Sequence, residues 1–309
     1  MDYRRANRTY LYMILVTIGL VLVISLWYMI GGSPLSILAN NFLSESVVLI
    51  PAVAAVLYSG EKLSTLIPFH KIKLTSALMI PLYVLALFPL VSLVNYVSML
   101  FVENTVSSIA DQLLDMPLWM MILSIGIFGP FVEEIVFRGV MLQSFQRTGR
   151  IIGSIIISSL MFGMIHMNFN QFGYGTVMGI MLALLVEATG SVLASFIAHA
   201  FFNTLEVVMM YSNKDVLEDA TSIAENYLDG RMSDMMVDVI YIGYLLLMAV
   251  IFTVIAMFIV RKIAKNEQRL EFFSSIKHSG RQGHKLVTIP LILAMVIAVI
   301  YMIYTIRLV

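Results

Sequence analysis

Phe131-Val-Glu-Glu-Ile-Val-Phe-Arg138 sets two adjacent carboxylates and a guanidinium in an otherwise apolar stretch. Inside a membrane-spanning helix each isolated charge costs about 2.5–3.5 kcal/mol on insertion scales, so these side chains require partners. Glu133 and Glu134 are neighbours, about 100° apart around a helix, and cannot face the same way. Glu134 and Arg138 stand at i and i+4 with the acid first, the favoured order for an intrahelical ion pair. Glu133 is left without a local partner and must be protonated, hydrated or matched from another helix.

Outward from this octapeptide the chain stays apolar. Hydrophobic residues make up 60% of its 309 positions and charged ones 12%, with a mean hydropathy of +0.93. An ordinary soluble domain carries about 25% charged residues. The composition therefore excludes a soluble globule and predicts an all-α, polytopic membrane protein with a buried polar cavity. The formal net charge of zero offers no basis for a nucleic-acid partner. The absence of cysteine excludes disulfides, thiolate metal sites and a cysteine nucleophile. Arg4, Arg5 and Arg8 precede an apolar run that is too long for a signal h-region and lacks a small-residue cleavage site; a retained first span is expected.

Apolar runs long enough to cross a bilayer fall near residues 9–30, 42–59, 74–101, 118–146, 151–170, 172–188, 190–211, 236–260 and 286–306, nine in all. Basic residues alternate between the intervening loops as the positive-inside rule requires. Arg4, Arg5, Arg8, Lys62, Lys71, Lys73, Arg147, Arg150 and the seven bases between Arg261 and Lys285 fall on one side, fifteen of nineteen. Glu103, Asp111, Asp115 and the mostly acidic loop from Ser212 to Met235, opposed only by Lys214 and Arg231, fall on the other. Eight spans would break this alternation. The expected protein lies in the cell membrane with a cytoplasmic amino terminus and an outer carboxy terminus. It divides into residues 1–117 with three spans, 118–211 with four, and 212–309 with the acidic outer loop, two spans and the basic cytoplasmic loop. That basic loop is read as an orientation signal rather than a lipid site. Gly175 and Gly179 form a small-xxx-small pair suited to close helix packing.

Of five histidines, His70, His278 and His284 sit in loops where a solvated role is expected. His166 and His199 lie in separate apolar spans, and Asn203 follows His199 by one turn on the same face. Glu133, His166, His199 and Asn203 can meet only if three helices pack together. A carboxylate with a neutral imidazole can deprotonate water. A second histidine and an amide can donate to the oxygen of a tetrahedral intermediate. Hydrolysis of an amide in the membrane is the chemistry this set suits. The same atoms are also zinc ligands, with Glu133, His166 and His199 as the donor set, although no His-Glu-x-x-His motif is present. Glu206 lies on the His199 face, either at the cavity entrance or at the outer interface. Glu45 and Glu187 are near span ends, where they can snorkel to water, and take no role. The 23 methionines read as adaptable packing.

Glu133-Glu134-x-x-x-Arg138, Phe162-x-x-x-His166 and His199-x-x-x-Asn203, in this order on successive apolar helices, resemble the three-motif signature of the CPBP family, the CAAX protease and bacteriocin-processing membrane proteins, also called Abi. The resemblance covers roughly residues 118–211, and its relatives include the type II CAAX prenyl endopeptidases. It implies an intramembrane endopeptidase in which Glu133 and His166 activate water, His199 and Asn203 form the oxyanion site, and Glu134 and Arg138 hold their helix in register. Its substrate would be a membrane-embedded or membrane-tethered peptide or protein. No cofactor is expected, with zinc as the alternative. Two readings from other classes are a non-catalytic scaffold or bacteriocin-immunity protein and a proton-coupled transporter. The transporter would show duplicated halves, which this chain lacks.

Overall fold

The computed structural model describes residues 1–104, 109–213, 234–276 and 285–306. These form helices and loops with no strand among them: α1 (Tyr3–Met29), α2 (Ile37–Tyr58), α3 (Leu63–Leu66), α4 (Leu74–Met99), α5 (Ala110–Leu114), α6 (Leu118–Gln146), α7 (Ile151–Met164), α8 (Phe169–Thr189), α9 (Val192–Ser212), α10 (Asp234–Asn266), α11 (Leu270–Ser275) and α12 (Ile289–Ile306). Among the described residues eight helices are long and apolar enough to cross a membrane. The chain is a multi-pass membrane protein. Its outer face agrees: Val239, Leu246, Val250, Val254 and Phe258 of α10 are exposed apolar side chains, which only lipid can cover over such a length.

The ninth expected span, 151–170, is shorter than its hydropathy suggests. α7 has 14 residues, about 21 Å at 1.5 Å per residue, against a hydrocarbon core of about 30 Å. It stops because Met167 adopts a left-handed φ of 56°, and the Asn168 side chain then accepts from the Gln171 N–H to cap α8. His166 therefore sits just past a helix end, not inside a span. α7 still runs between the two ends of the bundle. Close pairs Gly163–Gly175 and Ser159–Gly179 order it antiparallel to α8, and a Cβ on Gly179 would come within 3.0 Å of the Ser159 Cα. The small-residue stripe thus packs two backbones together.

The loops that carry the basic residues meet at one end. Arg147 donates to both Glu61 oxygens at 2.8 and 2.7 Å, and the Met1 ammonium pairs with the same carboxylate. The Val192 N–H donates to the Pro68 carbonyl at 2.9 Å, the Ser191 hydroxyl to the His70 carbonyl at 2.6 Å, and the Lys73 N–H to Glu267 at 3.0 Å. Arg269 donates to the Glu187 carbonyl at 3.0 Å. The bases on Lys277 and Arg281, the histidines 278 and 284, and Lys214, Arg231 and most of the acidic loop lie outside the described residues, as does the Asp111 side chain.

Candidate active site

α6 carries the acidic motif between two π-helical stretches, Ile122–Phe128 and Ile135–Met141. In both the bonding widens to i→i+5, as in Gly129 N–H to the Ser124 carbonyl and Leu142 N–H to that of Phe137. Such insertions often accompany functional sites. Pro130 has no N–H to return to the previous turn. In the widened register the carbonyl it leaves free is that of Ile125, and the Asn203 amide on α9 donates to this oxygen at 3.2 Å. Gly126 lets α9 come this close, since a Cβ there would lie 2.6 Å from the Thr204 hydroxyl oxygen.

Glu133, His166 and His199 converge from α6, the end of α7 and α9. The Glu133 Oε1 lies 3.7 Å from His166 Nε2, and its Oε2 lies 3.5 Å from His199 Nε2. Both separations exceed an ordinary N–H···O hydrogen bond. On the far side of each ring, Nδ1 is fixed: His166 Nδ1 is 3.0 Å from the Phe162 carbonyl, and His199 Nδ1 is 3.0 Å from Glu134 Oε1. A carbonyl or carboxylate only accepts, so each Nδ1 carries hydrogen and each Nε2 is turned toward Glu133.

Glu134 and Arg138 form the expected ion pair at 3.0 Å, both fully enclosed. Glu134 does more than balance that charge, because the same oxygen holds His199. Sequence spacing gave no sign of this, as the contact joins residues 65 positions apart. Phe162 is a second residue whose part was not legible. The Arg138 guanidinium lies 4.2 Å from its ring centroid, and the imidazoles of His166 and His199 stand edge-on to it at 5.3 and 5.6 Å. One aromatic ring therefore spaces all three motifs.

Two cavities of about 490 and 730 Å³ meet at the site, since Glu45, Glu133, His166 and Gln171 line both. Asn203, His199 and Glu206 line the smaller. Its wall also includes Asn41 and Asn104, which lie at the end of the bundle away from the basic loops. Of the acids placed at span ends, Glu206 faces this cavity. Glu45 does not snorkel into open water: its Oε2 is buried and has no hydrogen-bond partner among the described residues. Glu187 is also buried, and accepts from the Gln146 amide, because α6 and α8 pack side by side at that level. Among the described residues no three His, Cys, Asp or Glu side chains are grouped so as to hold a metal ion.

Residues 115–205 match the family model described as type II CAAX prenyl endopeptidase Rce1-like. That match supports the resemblance of this segment to the CPBP, or CAAX protease, family. The matched segment contains all three CPBP motifs and runs from just before α6 into α9. A curated protein of Bacillus subtilis (strain 168) named "Putative membrane peptidase YdiL" is similar to this chain, at 33% identity over 107 residues. That alignment covers 35% of this chain and 43% of the relative, so the chain spans less than half the length of the relative it matches. No solved structure matches the chain.

Proposed function

We propose that this protein is an intramembrane endopeptidase that hydrolyses a peptide bond in a membrane-embedded or membrane-tethered substrate, using residues 118–211 as its catalytic core. The observation that carries this reading is the Glu133 carboxylate facing Nε2 of both His166 and His199, within a cavity that Asn203 also lines. Glu133 is the general base. Together with the His166 Nε2 lone pair it takes a proton from water, and the resulting hydroxide adds to the scissile carbonyl carbon. As the oxyanion forms, Nε2–H of His199 and the Asn203 amide donate to it. With its Nδ1–H already given to Glu134, His199 can donate from Nε2 only as an imidazolium. Two carboxylates, one guanidinium and one imidazolium then sum to zero charge. Collapse of the tetrahedral intermediate returns the proton held by Glu133 to the leaving amine.

The test compares purified wild type with Glu133→Ala and His166→Ala on a panel of membrane-tethered peptides, with and without a chelator. Each substitution is expected to abolish cleavage, a loss of about 10²-fold or more, while the protein stays at wild-type abundance in the membrane. Full activity in either variant overturns the mechanism. Cleavage that persists in chelator supports water activation without metal, and loss of cleavage with restoration by zinc supports the alternative. The proposed setting is a cell membrane with the basic loops cytoplasmic, so the cavity would open on the outer side.

A further inference from the structure

Glu45 is a carboxylate the proposed reaction does not use, yet it stands at the junction of both cavities beside Glu133. It reaches there because Gly129, one turn before Glu133 on α6, has no side chain: a Cβ on Gly129 would come within 3.3 Å of Glu45 Oε1. Its other oxygen is enclosed without a donor among the described residues. A buried carboxyl group with no cation beside it is costly to ionise, and the surrounding wall does not relieve that cost. Among the described residues no lysine or arginine lines either cavity, whereas Glu103 and Glu206 add further carboxyl groups to the walls. Arg138 is committed to Glu134. The two cavities extend to either side of Glu133, one between α4, α8 and α9 and the other toward Leu20 and Ile24 of α1 and Tyr301 of α12. A chain lying through both would present side chains on each flank of the bond to be cut.

We propose that Glu45 is a specificity residue that pairs with a lysine or arginine side chain of the substrate, so that the preferred substrate is an extended, mainly apolar peptide carrying a basic residue beside the scissile bond. This rests on the peptidase reading only for the words "scissile bond"; the pairing itself is a binding property. A cation at this point gives the Glu45 carboxylate the charge partner that the cavity walls lack. A neutral or acidic side chain does not.

The experiment uses full-length protein in lipid nanodiscs and short palmitoylated, fluorescent apolar peptides in which one lysine is moved along the sequence, each with norleucine and glutamate counterparts at that position. Binding is followed by anisotropy, and turnover by mass spectrometry. At one register the lysine peptide should bind about ten-fold more tightly than its norleucine counterpart, with glutamate weakest. In Glu45→Gln the lysine preference should fall below about two-fold, and Glu45→Asp should restore part of it. Equal binding of lysine and norleucine peptides at every register overturns the proposal, and this needs no variant to fold. So does an undiminished preference in Glu45→Gln, or a rate loss in that variant that is the same for all peptides. Lysine preference without turnover by the unsubstituted protein leaves the pairing standing and removes the peptidase reading. Turnover without preference does the reverse.

Discussion

Glu134 is held on two sides, by Arg138 at 3.0 Å and by Nδ1 of His199 at 3.0 Å, with none of its side chain exposed. Removing only one member of such a buried group leaves the other charge uncompensated, which costs about 3–5 kcal/mol. Glu134→Gln should therefore lower the thermal midpoint strongly. Replacing both members with apolar side chains of similar volume is often close to neutral. The double substitution Glu134→Leu with Arg138→Met should then recover most of the thermal stability while cleavage stays lost, because His199 no longer has its Nδ1 acceptor. Recovery of cleavage together with stability would show that Glu134 serves only the helix. The spacing of Glu134 and Arg138 made the ion pair readable from the sequence. The contact with His199 was not readable, because it depends on how α9 is rotated against α6.

At the level of elements, the position of His166 is a matter of how α7 stops and how closely it lies on α8. A left-handed Met167 ends the helix, and the Asn168 amide donates to the His166 carbonyl at 2.9 Å. The first turn of α8 is tied to α4 by Asn170, whose amide donates to Asn95 and Ser98 at 2.8 and 2.7 Å. Gly163 permits the close approach, since a Cβ there would come within 2.7 Å of the Phe172 carbonyl oxygen, a backbone atom that cannot swing away. Gly163→Ala should destabilise by about 1–3 kcal/mol through overpacking and reduce cleavage by displacing His166. Gly175→Ala would place its Cβ at 3.4 Å from the Gly163 Cα, nearly ordinary contact, and should cost less than half as much. Thermal unfolding of the two variants in detergent checks the order, and a Gly175→Ala loss as large as that of Gly163→Ala would contradict it. The Gly175–Gly179 pair was visible as a pattern in the sequence, but the tight constraint on Gly163 was not.

Across the whole molecule, the loops that carry most of the described bases are fastened to one another, and Glu61 is one of the ties. Hydrogen bonds from Arg147 and from the amino-terminal ammonium hold the Glu61 carboxyl well below the usual carboxylate range, at about 2. A depressed folded-state value means the group stabilises the fold above its unfolded value of about 4.3, and that stabilisation is lost as pH falls from there through about 2. Because the Arg147 and Glu61 side chains are 47% and 28% exposed, solvent screening keeps the contribution below about 1 kcal/mol. The difference in thermal midpoint between wild type and Glu61→Gln should thus be constant at neutral pH and shrink below about pH 4. A difference that is unchanged down to pH 3 or so would show that Glu61 does not act through its charge.

Composition, run length and loop charge sufficed to determine that this is an all-helical membrane protein, because transfer of apolar side chains and backbone into lipid is additive along the chain and leaves long apolar runs in the sequence. The three motifs also marked the helices that matter, since charge inside an apolar run is conspicuous wherever it occurs. Tertiary structure alone decided what those residues touch. It shortened the span around His166 through one left-handed residue, joined His199 to Glu134, and brought Glu45 from a presumed interfacial position to the junction of two cavities. Each of these depends on the rotation and separation of helices far apart in the chain. Periodicity in a lipid-facing helix is weak, as the solvent on its outer face is as apolar as the protein within. In the octapeptide Phe131–Arg138, therefore, the sequence disclosed that the charges need partners, and packing chose them.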